Sequence, residues 1–165
     1  MESNSSIAHS GVVCNTGNSS AYAPITERAS ASEPGKVRMA ICQRYQGKPP
    51  KDIAARDPEF WSRFNDGFRP YDVSAYDLAR AVHKGYAFSP VVKGRRKADN
   101  FVSAQHLGVD YDTCDDRSRL ATLAADPLIA QYAALLYTSP SHTDEKPKAR
   151  VVFYLDQAVT DAAQY

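Results

Sequence analysis

Past residue 35 the apolar positions switch repeatedly between a period of two and a period near 3.6. Val37, Met39 and Ile41 alternate with Arg38, Ala40 and Cys42, which predicts a half-buried strand over 36–46, ended by Gly47-Lys48-Pro49-Pro50. Asp57-Pro58-Glu59 has the form of a helix start, with Asp as N-cap and Pro at the first helical position. It puts Phe60, Trp61 and Phe64 on one apolar stripe, with Trp61 read as core rather than as a stacking platform for bases. Residues 67–72 read as a loop. Ser74-Ala75-Tyr76-Asp77 has the form of a capping box with Asp for the usual Glu; Leu78, Ala81 and Val82 continue a helical stripe, and Gly85 stops it as a C′ residue.

The second half reads as strand-rich. Residues 86–92 form a short apolar strand, 101–112 the central strand region, and 133–138 and 149–155 two further buried strands. Between them, 116–125 is a short helix with Leu120 and Leu123 inward, and Asp126-Pro127 breaks it and begins another turn. Pro140 and Pro147 bound the polar loop between the last two strands. Residues 160–165 read as the first turn of a helix too short to be stable alone, so the chain is expected to stop inside a longer protein. Residues 1–35 are rich in Ser, Asn, Gly and Ala without sustained periodicity; they are expected to be a disordered leader outside a folded domain of 36–165. Strands alternating with helices at this density predict an α+β or α/β domain.

Composition adds bounds. A chain of 165 residues with 43% hydrophobic and 24% charged residues is enough for one soluble domain with a core. No apolar run approaches the roughly 18 residues that span a bilayer. The N-terminus lacks the layout of a signal peptide, so the expectation is a cytoplasmic protein with no membrane partner. Cys14, Cys42 and Cys114 are far apart and odd in number, predicting neither a disulfide framework nor a zinc site. The net charge of +1 carries no global signal for nucleic acid. The local distribution says more: a basic cluster, Lys93, Arg95, Arg96 and Lys97, precedes an acidic one, Asp110, Asp112, Asp115 and Asp116. Such neighbours suit an enzyme holding phosphates and metal ions together, and equally suit two solvated loops of opposite charge.

Three segments carry candidate chemistry. In Leu107-Gly108-Val109-Asp110-Tyr111-Asp112, strand alternation turns Leu107, Val109 and Tyr111 to one face, towards the core, and Asp110 and Asp112 to the other, roughly 6–7 Å apart. Carboxylates that close repel unless a cation lies between them, and their spacing lets both reach the same one or two divalent ions. A calcium loop of the EF-hand kind is excluded, because its sixth position is Asp115 and its twelfth Ala121. In Tyr137-Thr138-Ser139-Pro140-Ser141-His142-Thr143, hydroxyls and an imidazole follow a strand directly and can donate to a triphosphate; the bland alternative is a capped turn with a surface histidine. No G-x-S-x-G elbow supports a hydrolase. Finally, Arg150 can hold a phosphate bidentately or pair with a carboxylate at a strand edge.

In order, Gly85-Tyr86-Ala87-Phe88-Ser89-Pro90, Gly94-Arg95-Arg96-Lys97, Asn100-Phe101, Gly108-Val109-Asp110-Tyr111-Asp112, Tyr137 to Thr143 and Arg150-Val151-Val152-Phe153 resemble the archaeo-eukaryotic primase (primase-polymerase) domains of phage and plasmid replication proteins. The resemblance covers roughly residue 36 to the end and is strongest from Gly85. It implies an α+β primase catalytic core whose RRM-like mixed or antiparallel sheet is flanked by helices. Asp110 and Asp112 match the family's metal-binding aspartates, catalytic through Mg²⁺ or Mn²⁺. His142, with Ser139 or Ser141, matches the motif contacting the incoming triphosphate, and Arg150 would neutralise its charge. Lys93, Arg95, Arg96 and Lys97 would grip template or phosphates. The family's third acidic ligand lies further along the chain; Asp156 and Asp161 are weak substitutes before Tyr165. The implied partners are a single-stranded DNA template, nucleoside triphosphates and a helicase domain downstream in the parent chain. The alternative is a non-catalytic single-stranded nucleic-acid-binding module on the same fold. A nicking initiator is disfavoured because His83, His106 and His142 stand apart, without the paired metal-binding histidines that chemistry uses.

Overall fold

The computed structural model describes residues 12–14 and 35–165. It is an α+β arrangement of two antiparallel sheets. The smaller has the order β3-β2-β4, from β2 (Lys36–Cys42), β3 (Phe68–Ser74) and β4 (Ala87–Ser89). The larger has the order β1-β7-β8-β6-β5, from β1 (Val12–Cys14), β5 (Val91–Val92), β6 (Phe101–Tyr111), β7 (Ala133–Thr138) and β8 (Ala149–Val159). The long β8, not β6, lies at the middle of that sheet. Val12–Cys14, inside the stretch read as a leader, pair with Leu135–Tyr137 and so add an edge strand. The rest of 1–34 lies outside the described residues.

Alternation explains β2 only in its first half. Val37, Met39 and Ile41 enter the main core, but Ala40 and Cys42 are buried too. The helix α2 (Phe60–Asn65) and Phe68 pack on that second face, so the strand is buried on both sides rather than half-buried. The main core lies between the sheets and is closed by α3 (Ala75–His83). Leu78 and Ala81 of α3 meet Val37, Met39, Val73, Leu135 and Val152. A second cluster on the outer face of the larger sheet packs Leu123 of α4 (Leu120–Ala124) and Ile129 of α5 (Pro127–Tyr132) on Leu136, Ala149 and Val151.

Local signals held where side chains close a hydrogen bond nearby. Ser74 Oγ accepts from the Asp77 amide at 3.1 Å, and Asp77 Oδ2 accepts from the Ser74 amide at 3.3 Å, completing the capping box. Asp126 caps α5 by accepting from the Leu128 and Ile129 amides. Other expectations fail. Asp57 is not the cap of α2; it pairs with Arg63, and Glu59 precedes the helix after an unforeseen turn of helix, α1 (Ile53–Arg56). Trp61 is 44% exposed, edge-on to Phe60 and Phe64, because only those two point inward. Residues 67–72 are not a loop but most of β3; Pro70 is tolerated because β3 is an edge strand, where no ladder donor is needed on the open side. The segment 86–92 is two strands in different sheets, parted by Pro90. Residues 160–165 make a turn rather than a helix.

Gly85 ends α3 at φ 76°, and its carbonyl accepts from the Gly47 amide at 2.8 Å. A Cβ there would sit 2.6 Å from the Gly47 nitrogen, which is backbone and cannot swing aside. Gly85→Ala is therefore expected to cost about 1–3 kcal/mol. It should appear as a lowered urea midpoint with an unchanged m-value; an unshifted midpoint would contradict the close approach.

Candidate functional site

Facing residues on β6 and β8 share a side of the sheet. The register pairs His106 with Tyr154, Gly108 with Val152 and Asp110 with Arg150. Val152 and Tyr154 belong to the main core, so this is the concave face that looks towards the smaller sheet. The other face of β6 packs under α4 and α5 only near Tyr111, and Leu107 is 42% exposed. The sequence reading of the two faces is thus corrected. Asp110 sits on the side carrying the main core, where it opens at one end, and Asp112 follows just past the end of β6.

At that opening Asp110 and Arg150 form a bidentate pair, Nε to Oδ1 at 2.5 Å and Nη2 to Oδ2 at 2.8 Å. The guanidinium holds the Asp110 carboxyl below its usual range, and the carboxylate raises Arg150 above an already high value. On the other side of Arg150, cross-strand from it, Tyr137 is buried and its phenol is pushed up by that burial. Of the two roles open to Arg150, the carboxylate pair is the one formed here.

Two residues further, Asp112 meets Lys148 Nζ at 3.2 Å. The backbone amide of Lys148 in turn donates to His142 Nδ1 at 3.1 Å. This links His142 to Asp112 through Lys148 although 30 positions separate the two in sequence order. The cause is the tight extension of the β7–β8 hairpin, where Ser139 N–H donates to the Lys148 carbonyl and Thr143 and Lys146 exchange backbone bonds. Since Nδ1 accepts, the neutral ring carries its proton on Nε2, from which it can donate to a ligand. The two serines separate in role: Ser139 Oγ accepts from the Ser141 amide at 3.4 Å within the turn, whereas Ser141 Oγ receives Lys48 Nζ at 2.6 Å.

The basic loop contributes one of its four cations. Arg96 lies over the Phe68 ring at 5.3 Å, its amide donates to the Asn65 carbonyl, and it lines an open cavity of ≈ 150 Å³ with Asp110 and Arg150. Arg95 turns to Asp66 at 3.7 Å and Lys97 to Asp99 at 3.4 Å; with Lys93 they are exposed on the loop and do not line the cavity.

The structure therefore puts Asp110, Arg150 and Arg96 around one cavity together with Gly108 and His106, and joins Asp112, Lys148 and His142 in a run of contacts beside it, with Ser141 of the same hairpin paired to Lys48. Nothing local in the sequence marks Lys48, whose contact spans 93 positions. Gly108 and His106 were legible through strand parity with Asp110. Asp156 lies six residues along β8 from Arg150, roughly 20 Å of extended strand, and so cannot complete a ligand set with Asp110. Among the described residues no group of three or more His, Cys, Asp or Glu side chains is arranged to hold a metal. Two neighbouring carboxylates suit Mg²⁺ or Mn²⁺ where substrate phosphates and water supply the remaining oxygens, which is the common way such ions are held. Asp110 and Asp112, both about half exposed, fit that role provided Arg150 and Lys148 release them to a triphosphate.

Comparison with protein-family models, curated proteins and solved structures finds no match for the chain. No helix among the described residues is long and apolar enough to cross a membrane.

Proposed function

We propose that the chain carries the catalytic face of a primase-polymerase: a DNA-dependent nucleotidyltransferase domain of the phage and plasmid replication kind. The observation that supports this best is the run of contacts from the Arg150–Asp110 pair at the cavity to the Lys148–Asp112 pair and on to His142. Anionic and cationic groups in alternation fit a ligand that brings both phosphates and metal ions.

In this reading Asp110 and Asp112 would hold Mg²⁺ or Mn²⁺, and the ion would supply positive charge for the attacking 3′-hydroxyl and the departing pyrophosphate. The chain's own residues do the rest. Arg150 exchanges its carboxylate partner for a phosphate, a swap that its planar fork makes with little loss of geometry. Lys148 and Lys48 add charge on the same side. His142 Nε2–H donates to a phosphate oxygen while its Nδ1 stays anchored on the Lys148 amide. The 93–97 loop tracks the single-stranded template by charge, so template binding falls as salt rises. The family core, a downstream helicase partner and a cytoplasmic setting belong to the same proposal.

His142→Ala is expected to raise the nucleotide KM about tenfold or more, the worth of a charge-assisted bond of about 1.5–3 kcal/mol, and to change the Kd for single-stranded DNA less than twofold. The reverse pattern would move His142 to the template side. Primer extension and de novo dinucleotide synthesis with Mn²⁺ on single-stranded DNA test the reading as a whole.

A second reading is a non-catalytic nucleic-acid-binding module. It is favoured by the saturation of both aspartates by basic partners. Intact single-strand binding without synthesis would select it.

A further inference from the structure

Along the concave face of β6, His106, Gly108 and Asp110 follow one another at alternate positions. The middle one has no side chain, and the open cavity lies there. A Cβ on Gly108 would meet only the Arg150 side chain, at 3.9 Å, so the gap is room that any larger residue would fill and not a packing necessity. Glycine inside a strand costs stability and marks a bulge, a bend or a close approach by a ligand or another backbone; the irregularity of β6 lies at Ala104–His106, before Gly108. At the far side of the gap His106 lines the cavity. It is 2% exposed, and its Nδ1 has no hydrogen-bond partner. Native proteins rarely leave a buried polar atom unpaired, because the lost hydration is not recovered. Burial keeps the ring neutral, lowering its pKa to about 4, so it meets a ligand by hydrogen bonding and not by charge. Apolar walls from Phe88 and Tyr165 flank it, with centroids 5.5 and 6.4 Å from the imidazole.

We propose that this gap receives the sugar of the bound nucleotide, with a sugar hydroxyl hydrogen-bonded to His106. The proposal rests on the nucleotidyltransferase reading. Phosphates held by Arg150, Lys148 and His142 leave the adjoining sugar over Gly108, one strand position-pair further along the same face. The cavity offers the mix a furanose asks for: apolar rings for its carbon face and, at its inner edge, the His106 imidazole for a hydroxyl. His106 would then be a residue that selects among sugars, separate from those that hold phosphate.

The test is a binding comparison on the full chain with Mg²⁺, using ATP, 2′,3′-dideoxy-ATP and inorganic tripolyphosphate. The unaltered protein should bind ATP about tenfold or more tightly than either of the others, the effect of leaving one buried polar atom unpaired. Gly108→Val should bring ATP down to the tripolyphosphate level while tripolyphosphate binding stays unchanged, which also shows that the variant is folded. His106→Phe should abolish the difference between ATP and its dideoxy analogue. Equal binding of ATP, dideoxy-ATP and tripolyphosphate by the unaltered protein would overturn the sugar assignment and leave the triphosphate reading standing. Failure of all three ligands to bind would instead overturn both.

Discussion

Replacing Asp110 and Asp112 together by asparagine is expected to abolish metal-dependent nucleotide incorporation, a loss of about 10³-fold or more. Metal ions at a phosphoryl centre supply several kcal/mol of charge stabilisation, and each ~1.4 kcal/mol is a decade in rate. Asparagine keeps the size and a carbonyl oxygen but removes the charge that holds a divalent ion. The fold should survive. Asp110 and Asp112 keep 51% and 56% of their side-chain surface exposed, and pairs this open contribute about 0–1 kcal/mol each. The measurement is extension of a labelled primer with Mn²⁺, run beside thermal unfolding of the same samples. Undiminished synthesis in a folded double variant would remove the aspartates from the chemistry. Synthesis absent from the unaltered chain as well would point to the binding module.

Acid should destabilise the protein in two separable steps, and the upper one belongs to His106. Its pKa is lowered by burial from 6.5 to about 4. The unfolded chain therefore binds a proton that the folded chain refuses, and stability falls as pH drops from about 6.5 towards 4. A shift of that size corresponds to on the order of 3 kcal/mol by the bottom of the window. The lower step comes from carboxyls depressed in the folded chain, Asp110 by Arg150 and the exposed Asp115 by Arg117. Their contribution is present above the unfolded carboxylate range and is lost as pH falls through the folded values. Denaturant midpoints measured from pH 7.5 to 2 check this. His106→Phe should flatten the curve between 6.5 and 4 and leave the lower limb. A variant with the same slope in that window as the unaltered protein would show that His106 is not held neutral. Tyr154, cross-strand from His106, has a buried hydroxyl without a partner and a raised pKa, but it titrates far above this range.

The sequence by itself determined what depends on neighbours a few residues apart. The capping box at Ser74 and Asp77, the Asp126-Pro127 restart, the glycine stop at Gly85 and the strands β6 and β7 all follow from alternation or from hydrogen bonds closed within one turn. The same parity aligned Asp110 of β6 with Asp112 just past its end. Tertiary structure alone decided which side that was and what met it. Whether a strand face looks at solvent, a helix or another sheet depends on chain brought in from far away. For this reason Leu107 lies open, Cys42 is buried, Pro70 sits in an edge strand and Trp61 faces out. Arg150 and Lys148 reach the aspartates through a cross-strand register that the distant β7–β8 hairpin sets, and Lys48 reaches Ser141 because Gly47 and Gly85 touch backbone to backbone. Candidate chemistry was legible as residue types at local spacing. Its assembly was not, because convergence is a property of long-range packing that no local pattern encodes.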